Sequence, residues 1–395
     1  MRTAWEWAVV NGRLDDISPA ADTLEMFFRF SGLPAEGSAL FAAAAAALQG
    51  QIESGRLSPA VAWPVIYRLW RREALLLELT GLGEAALARL SGARAGWAAL
   101  GNDRRLARVL IDMAYVNMRL SRPTVAGPLA EEALARARVL GDDRLIAGGL
   151  HNLGNAANWL GDTVGGRMLL EESISHYRAA GEWRWLAGAL SDIGMAYSLE
   201  GDLASAKAAF QRSVDLAESI GDQTGIALAV SNLGAVALDS GDLEAAETFS
   251  RRGQAIAQDI GDKLMLSVCL GNLGHVTLTR GERAAALRTY RDAAVVCRES
   301  GYGYMLIEIV MGLAALAAGR DAGAATRWLG AVAAWRATTG FGGATPFVQR
   351  MFEETENRLR MALGEEAYAA AWAAGEALSL AAAAAEAMSW AQGEG

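Results

Sequence analysis

Four polar side chains recur at one spacing: Asn152, Asp192, Asn232 and Asn272 stand forty residues apart. An asparagine amide offers a donor and an acceptor together, so a line of them suits the peptide groups of a bound chain. The same residues can instead bond to the neighbouring row and hold the rows together, and at this stage both readings stand. One position earlier come His151, Ser191, Ser231 and Gly271. Three positions later come Asn155, Met195, Ala235 and His275. Arg108 and Arg119, one row upstream, can add positive charge.

Other chemistries find no motif. A phosphate-binding loop needs Gly-Lys followed by Ser or Thr, but Lys207 follows Ala206 and Lys263 follows Asp262. These are the only lysines, against thirty-four arginines. His151, His176 and His275 lie in different rows, without the spacing of a metal site. No Gly-x-Ser-x-Gly elbow occurs. The expectation is a binding protein, not an enzyme, with no catalytic residue, metal or cofactor. A net charge of −9 argues against direct nucleic-acid binding, which depends on clustered positive charge.

Those side chains must be held by a repeat. Gly141-Asp142, Gly181-Glu182, Gly221-Asp222 and Gly261-Asp262 head four rows of forty residues, and Gly161-Asp162, Gly201-Asp202, Gly241-Asp242 and Gly281-Glu282 divide them. Each half-row reads as a helix. In the half-row from Asp202 to Gly221, Leu203, Ala206, Phe210, Val214 and Ala217 recur every three or four residues and so share a face. Asp202 can accept the free N–H groups of the first turn, and Gly221 can close the last in a left-handed conformation. One such pair cannot bury its apolar side alone, so the rows must stack.

These rows resemble the tetratricopeptide repeat. Leu190, Ile193-Gly194, Tyr197, Gly201, Ala206, Phe210 and Ser213 carry the likeness in one row, and Leu270, Leu273-Gly274, Thr277, Gly281, Ala286, Tyr290 and Ala293 in another. The row 141–180 is weaker, with Gly166 and Leu170 in the alanine and aromatic slots. The period exceeds the family's usual 34 residues, and the closing proline is missing. The resemblance implies an all-α, right-handed superhelix (an α-solenoid) of antiparallel helix pairs, with the first helix of each pair lining a concave groove. Asn152, Asp192, Asn232, Asn272 and their neighbours would then line it. The basic residues of the family's carboxylate clamp are missing from the regular rows.

Around the regular rows the repeat blurs. Residues 1–100 predict divergent helices near 1–10, 20–31, 35–54, 60–80 and 83–99, with Trp63, Tyr67 and Trp70 as a core stripe. Residues 101–340 predict six rows. In the first, Pro123 and Pro128 replace the central turn; the sixth starts at Gly301 and turns at Gly319-Arg320-Asp321. Residues 341–395 predict a loop from Phe341 to Pro346 and then two capping helices divided near Gly364. Cys269 and Cys297 suit packed thiols in a reducing compartment. No leader or membrane span is read in the chain, so a cytoplasmic protein without a membrane partner is expected.

The two ends carry a second resemblance. Leu363-Gly364-Glu365-Glu366-Ala367-Tyr368, Ala371-Trp372, Gly375 and Ala377-Leu378-Ser379-Leu380 are similar to the C-terminus of actinobacterial and related regulators. Met1-Arg2-Thr3-Ala4-Trp5-Glu6-Trp7-Ala8, Gly32 and Glu36-Gly37 resemble the segment after their ATPase and winged-helix parts. Those regulators are signal-transduction ATPases with numerous domains, or STAND proteins, including LuxR-like transcription regulators. The resemblance implies a sensor arm that binds a small-molecule inducer or a protein segment, and that works on the ATPase domain of the same polypeptide if the full protein is longer. The alternative is a free-standing scaffold for a partner peptide.

Overall fold

The structure, a computed structural model, describes residues 2–300, 306–340 and 345–394. Met1, the expected row start at Gly301 and most of the expected loop, Phe341 to Ala344, lie outside them. The described residues form twenty helices and no strand. They divide into two compact units, Met1–Asn152 and Leu153–Gly395.

Unit 1 holds α1 (Arg2–Val10), α2 (Leu14–Phe30), α3 (Pro34–Glu53), α4 (Pro59–Leu79), α5 (Gly83–Ala99), α6 (Asp103–Arg119), α7 (Pro123–Leu140) and the first part of α8 (Asp143–Trp159). Consecutive helices from α3 to α7 pack on one another, and α2 and α6 also pack on α4. Short connections make such neighbours antiparallel. Trp5, Ile17, Phe41, Leu48, Ile66 and Leu69 form one core, and Leu90, Trp97, Val109 and Leu110 a second. The aromatic stripe of α4 rests against both, with Tyr67 5.5 Å from Trp97 and stacked on Trp63 at 5.6 Å. It fits because α5 presents Gly92 to Trp70 and Gly96 to Tyr67; a Cβ at either would come within 3.0 Å of the ring.

Unit 2 continues with α9 (Thr163–Ala179), α10 (Trp183–Glu200), α11 (Leu203–Ser219), α12 (Gln223–Asp239), α13 (Leu243–Ile260), α14 (Lys263–Thr279), α15 (Arg283–Ser300), α16 (Leu306–Ala317) and α17 (Ala322–Thr339). Each packs on the next, and the first helices α10, α12, α14 and α16 also pack side by side. The side chain of Asp202 accepts the Ser205 N–H at 3.1 Å, and Asp162, Asp242 and Asp262 cap their helices in the same way. Within the pairs, the glycine of each Leu-Gly or Ile-Gly step lies under a side chain of the second helix. Gly154, Gly194, Gly234 and Gly274 face Leu170, Phe210, Ser250 and Tyr290, again forty residues apart, and a Cβ at any of them would come within 3.0 Å. That close approach is why this slot is a glycine.

Three expectations are corrected. The helix near 20–31 begins at Leu14 and carries Pro19 inside it. Ile17, Ala21 and Leu24 bury one face there, and packing outweighs the hydrogen bond lost to proline. Pro123 and Pro128 do not replace the central turn of the first row. Pro123 is the first residue of α7, where a missing N–H matters little, and Pro128 lies within that helix. The turn is made by Ser121, whose φ of 60° is the only positive value outside glycine among the described residues. It stands forty residues before Gly161, in the glycine's place. Ser121→Gly should therefore stabilise the protein, by about 0.5 kcal/mol once the added freedom of the unfolded chain is subtracted. A rise in the denaturant midpoint at constant slope would show it; a fall would mean that the serine side chain is needed in that turn. Third, the tail is three helices rather than two: α18 (Pro346–Leu363), α19 (Glu365–Glu376) and α20 (Leu380–Gly393). Ser379 caps the unexpected third helix, accepting the Ala382 N–H at 3.1 Å.

Candidate functional site

In unit 1 the predicted residues lie on first helices. The Arg119 Nε donates to Glu78 Oε1 of α4 at 2.9 Å, and Glu78 is buried. The Asn152 amide donates to the Ile111 carbonyl of α6 at 3.0 Å, and His151 beside it is buried. Arg108 is half-buried on α6, near Asp112 and Arg71.

In unit 2 the polar line forms a chain of bonds from row to row. The Asn155 amide donates to Asp192 Oδ2 at 2.8 Å, the Asn232 amide to Ser191 Oγ at 3.1 Å, and the Asn272 amide to the Ser231 carbonyl at 3.1 Å. Successive first helices pack closely, so polar atoms in the gap must find partners there or bear the cost of desolvation. The repeat-to-repeat bond is thus present at every Asn of the forty-residue line. The line is not sealed: Asn155, Asp192, Met195, Asn232 and Ala235 are half-buried, whereas Asn272 and His275 are buried.

His275 sits apart from the others. Its Nδ1 is 2.7 Å from the Tyr290 hydroxyl, its Nε2 3.6 Å from Glu308 Oε2, and its ring meets Phe347 edge-on at 5.3 Å. Phe347 belongs to α18, which packs on α12, α16 and α17. The chain's own tail therefore lies on the first-helix side of this unit. Its start is fixed by Asp239 at the end of α12. That buried carboxylate accepts the Phe347 N–H at 2.6 Å and the Ser198 hydroxyl at 3.2 Å, while Arg350 donates to the Asp239 carbonyl at 3.3 Å. A carboxylate suits the first N–H groups of a helix. Burial pushes the Asp239 carboxyl above its ordinary range, against the lowering effect of these donors.

The sequence reading missed Asp239, Phe347 and Arg350. One signal was available: Asp239 is an acid in the slot held elsewhere by Trp159, Leu199 and Thr279. Cys269 and Cys297 are buried and in no disulfide, with both thiols pushed up to about 12 by burial. The described residues contain no cluster of metal-ligating side chains and no helix long and apolar enough to cross a membrane.

The tetratricopeptide repeat family model matches residues 145–219 and 225–299, and these two segments are tetratricopeptide repeats. No curated protein sequence matches the chain. Solved structures share its fold. A Rap protein complexed with competence and sporulation factor aligns with a TM-score of 0.55 at 14% identity, over 81% of this chain and 98% of that one. A STAND protein with a tetratricopeptide repeat sensor, from Pyrococcus horikoshii, aligns with a TM-score of 0.54 at 12% identity, over 81% of this chain but 46% of that one. The apo form of RapI gives 0.51 at 11% identity, over 75% and 99%. At such identities the likeness is one of fold, that of an all-α solenoid.

Proposed function

We propose that the chain is the sensor or interaction arm of a bacterial signal-transduction ATPase or transcription regulator, binding a protein segment or an inducer along its first helices. The observation that carries this is the half-open polar line of unit 2, where Asn155, Asp192 and Asn232 hold the rows together while keeping an edge toward solvent. The fold shared with a Rap protein solved with competence and sporulation factor, and with a STAND protein bearing a tetratricopeptide repeat sensor, supports the reading. Binding would act on the rest of a longer protein only by favouring one of its states, which requires unequal affinity for the two. The arm itself performs no catalysis and works in the cytoplasm.

Truncating the asparagines is a poor test, because each amide also joins two rows. Blocking the line is better. Peptides selected on this chain from a displayed random library should bind at least about tenfold more weakly to Ala235→Arg on α12, a loss of ~1.4 kcal/mol. They should bind unchanged to Lys207→Glu, an exposed position on the second helix α11. Binders that tolerate the first change and are lost with the second would sink the proposal.

A further inference from the structure

The first-helix faces of unit 1 concentrate positive charge. Arg68, Arg71 and Arg72 stand on α4, Arg105 and Arg108 on α6, and Arg144 on α8. The opposing acids are Asp22 and Glu25 on α2 and Asp112 on α6, and all three are engaged. Arg72 pairs with both Asp22 and Glu25, and Arg29 also reaches Glu25 at 3.2 Å. Arg71 forks onto Asp112 through Nε and Nη2, the second contact at 3.3 Å. Nearby, Asp142 is held by Arg104 at 2.8 Å. Arg68 donates to Ser18 Oγ, and its Nε is buried with no acceptor.

Two guanidinium groups are left over. Arg105 and Arg108 make no ion pair and no side-chain hydrogen bond among the described residues. Arg108 is nonetheless half-buried, one helical turn from Asp112 and within the field of Arg71, Arg72 and Arg144. Burial first, and then Arg71, pushes its guanidinium down to about 10; Asp112 opposes this and Arg144 adds to it. Arg105, one turn earlier on α6, is exposed, with Arg68 and Arg71 as like charges near it. A cation left partly desolvated among like charges is unfavourable, and Asp112, the acid that opposes this, is already held by Arg71. The chain as a whole is acidic, so this concentration does not reflect general basicity.

We propose that Arg105 and Arg108 form the mouth of an oxyanion site that takes the phosphoryl group of a small molecule. Arg71 and Arg72, locked by their carboxylates, supply the surrounding positive field. A guanidinium fork matches phosphate oxygens through paired N–H donors, and a dianion answers the two uncompensated charges better than a single carboxylate does. The site lies wholly in unit 1, so it stands or falls independently of peptide binding along unit 2.

The test is titration calorimetry of the whole chain with pyrophosphate, against chloride at matched ionic strength and against citrate. Saturable binding of pyrophosphate is expected, weakened about tenfold or more by Arg108→Gln and untouched by Arg252→Gln in unit 2. Thermal unfolding without ligand supplies the second readout. Because Arg108 is uncompensated, Arg108→Gln should hold or raise the melting temperature. No saturable binding by the wild-type chain, equal binding by Arg108→Gln, or a lowered melting temperature in that variant would each overturn the site. Citrate binding as tightly as pyrophosphate would overturn its assignment to a phosphoryl group.

Discussion

Gly375→Ala should dislodge the end of unit 2. Gly375 on α19 lies against the backbone of α17, where an added Cβ would come within 3.0 Å of the Arg327 carbonyl. From the other side, a Cβ on Gly330 of α17 would lie 2.5 Å from the Trp372 carbonyl. The two helices thus meet backbone to backbone through a glycine on each. No rotamer change can relieve a clash with a carbonyl, so α19 must move. It carries Trp372, edge-on to Phe352 at 6.3 Å, and Tyr368, whose hydroxyl donates to Glu356 at 3.0 Å under the Arg360 guanidinium. Overpacking costs about 1–3 kcal/mol where side chains can adjust, and the upper end, about 3 kcal/mol, is expected here. Hydrogen exchange should quicken in α19 and the melting temperature should fall. An unchanged melting curve would mean that the two helices can part without loss.

Asp239→Ala should release the start of α18. The substitution removes the acceptor of the Phe347 N–H and of the Ser198 hydroxyl in a buried place. Losing a cap and stranding a buried donor together should cost about 2–4 kcal/mol. The readout is protease cleavage within Pro346–Leu363, which should accelerate while α10 and α11 stay protected. Asp239→Asn keeps an acceptor and should keep the tail in place. The two variants also differ in their pH response. Because the folded-state carboxyl is raised, its stabilising contribution is full below the unfolded value and is lost as pH rises through the folded one. The wild-type tail should therefore loosen with rising pH in that window, and the Asn variant should show no such slope. Equal cleavage of wild type and Asp239→Ala would remove Asp239 from the account of docking.

What could be read in the sequence was whatever repeats. Gly201 and Gly221 are left-handed, Asp202 is a cap, and Gly194 under Phe210 follows the same logic as Gly274 under Tyr290. The forty-residue line of Asn152, Asp192, Asn232 and Asn272 was legible as well, but not the direction of each amide, because a side chain spaced to reach a neighbouring row is equally spaced to face a groove. Contacts without a period left little trace, here a single acid in a slot held elsewhere by Trp159, Leu199 and Thr279. Asp239 and Phe347 are 108 residues apart and meet only because the tail folds back. Ser121 hid a turn by adopting a conformation usually left to glycine, and Pro19 and Pro128 hid helix interiors because local propensity yields to burial. The arginines of α4 carried no signal of their own in the sequence, because α2 and α6 come to pack beside them only in the fold.

The most direct test of the central claim is hydrogen exchange of the whole chain with and without a peptide selected from a displayed random library. Binding along the first helices predicts slowed exchange in α10 and α12, centred on Asp192, Met195, Asn232 and Ala235. Protection confined to the second helices α11 and α13 would contradict it.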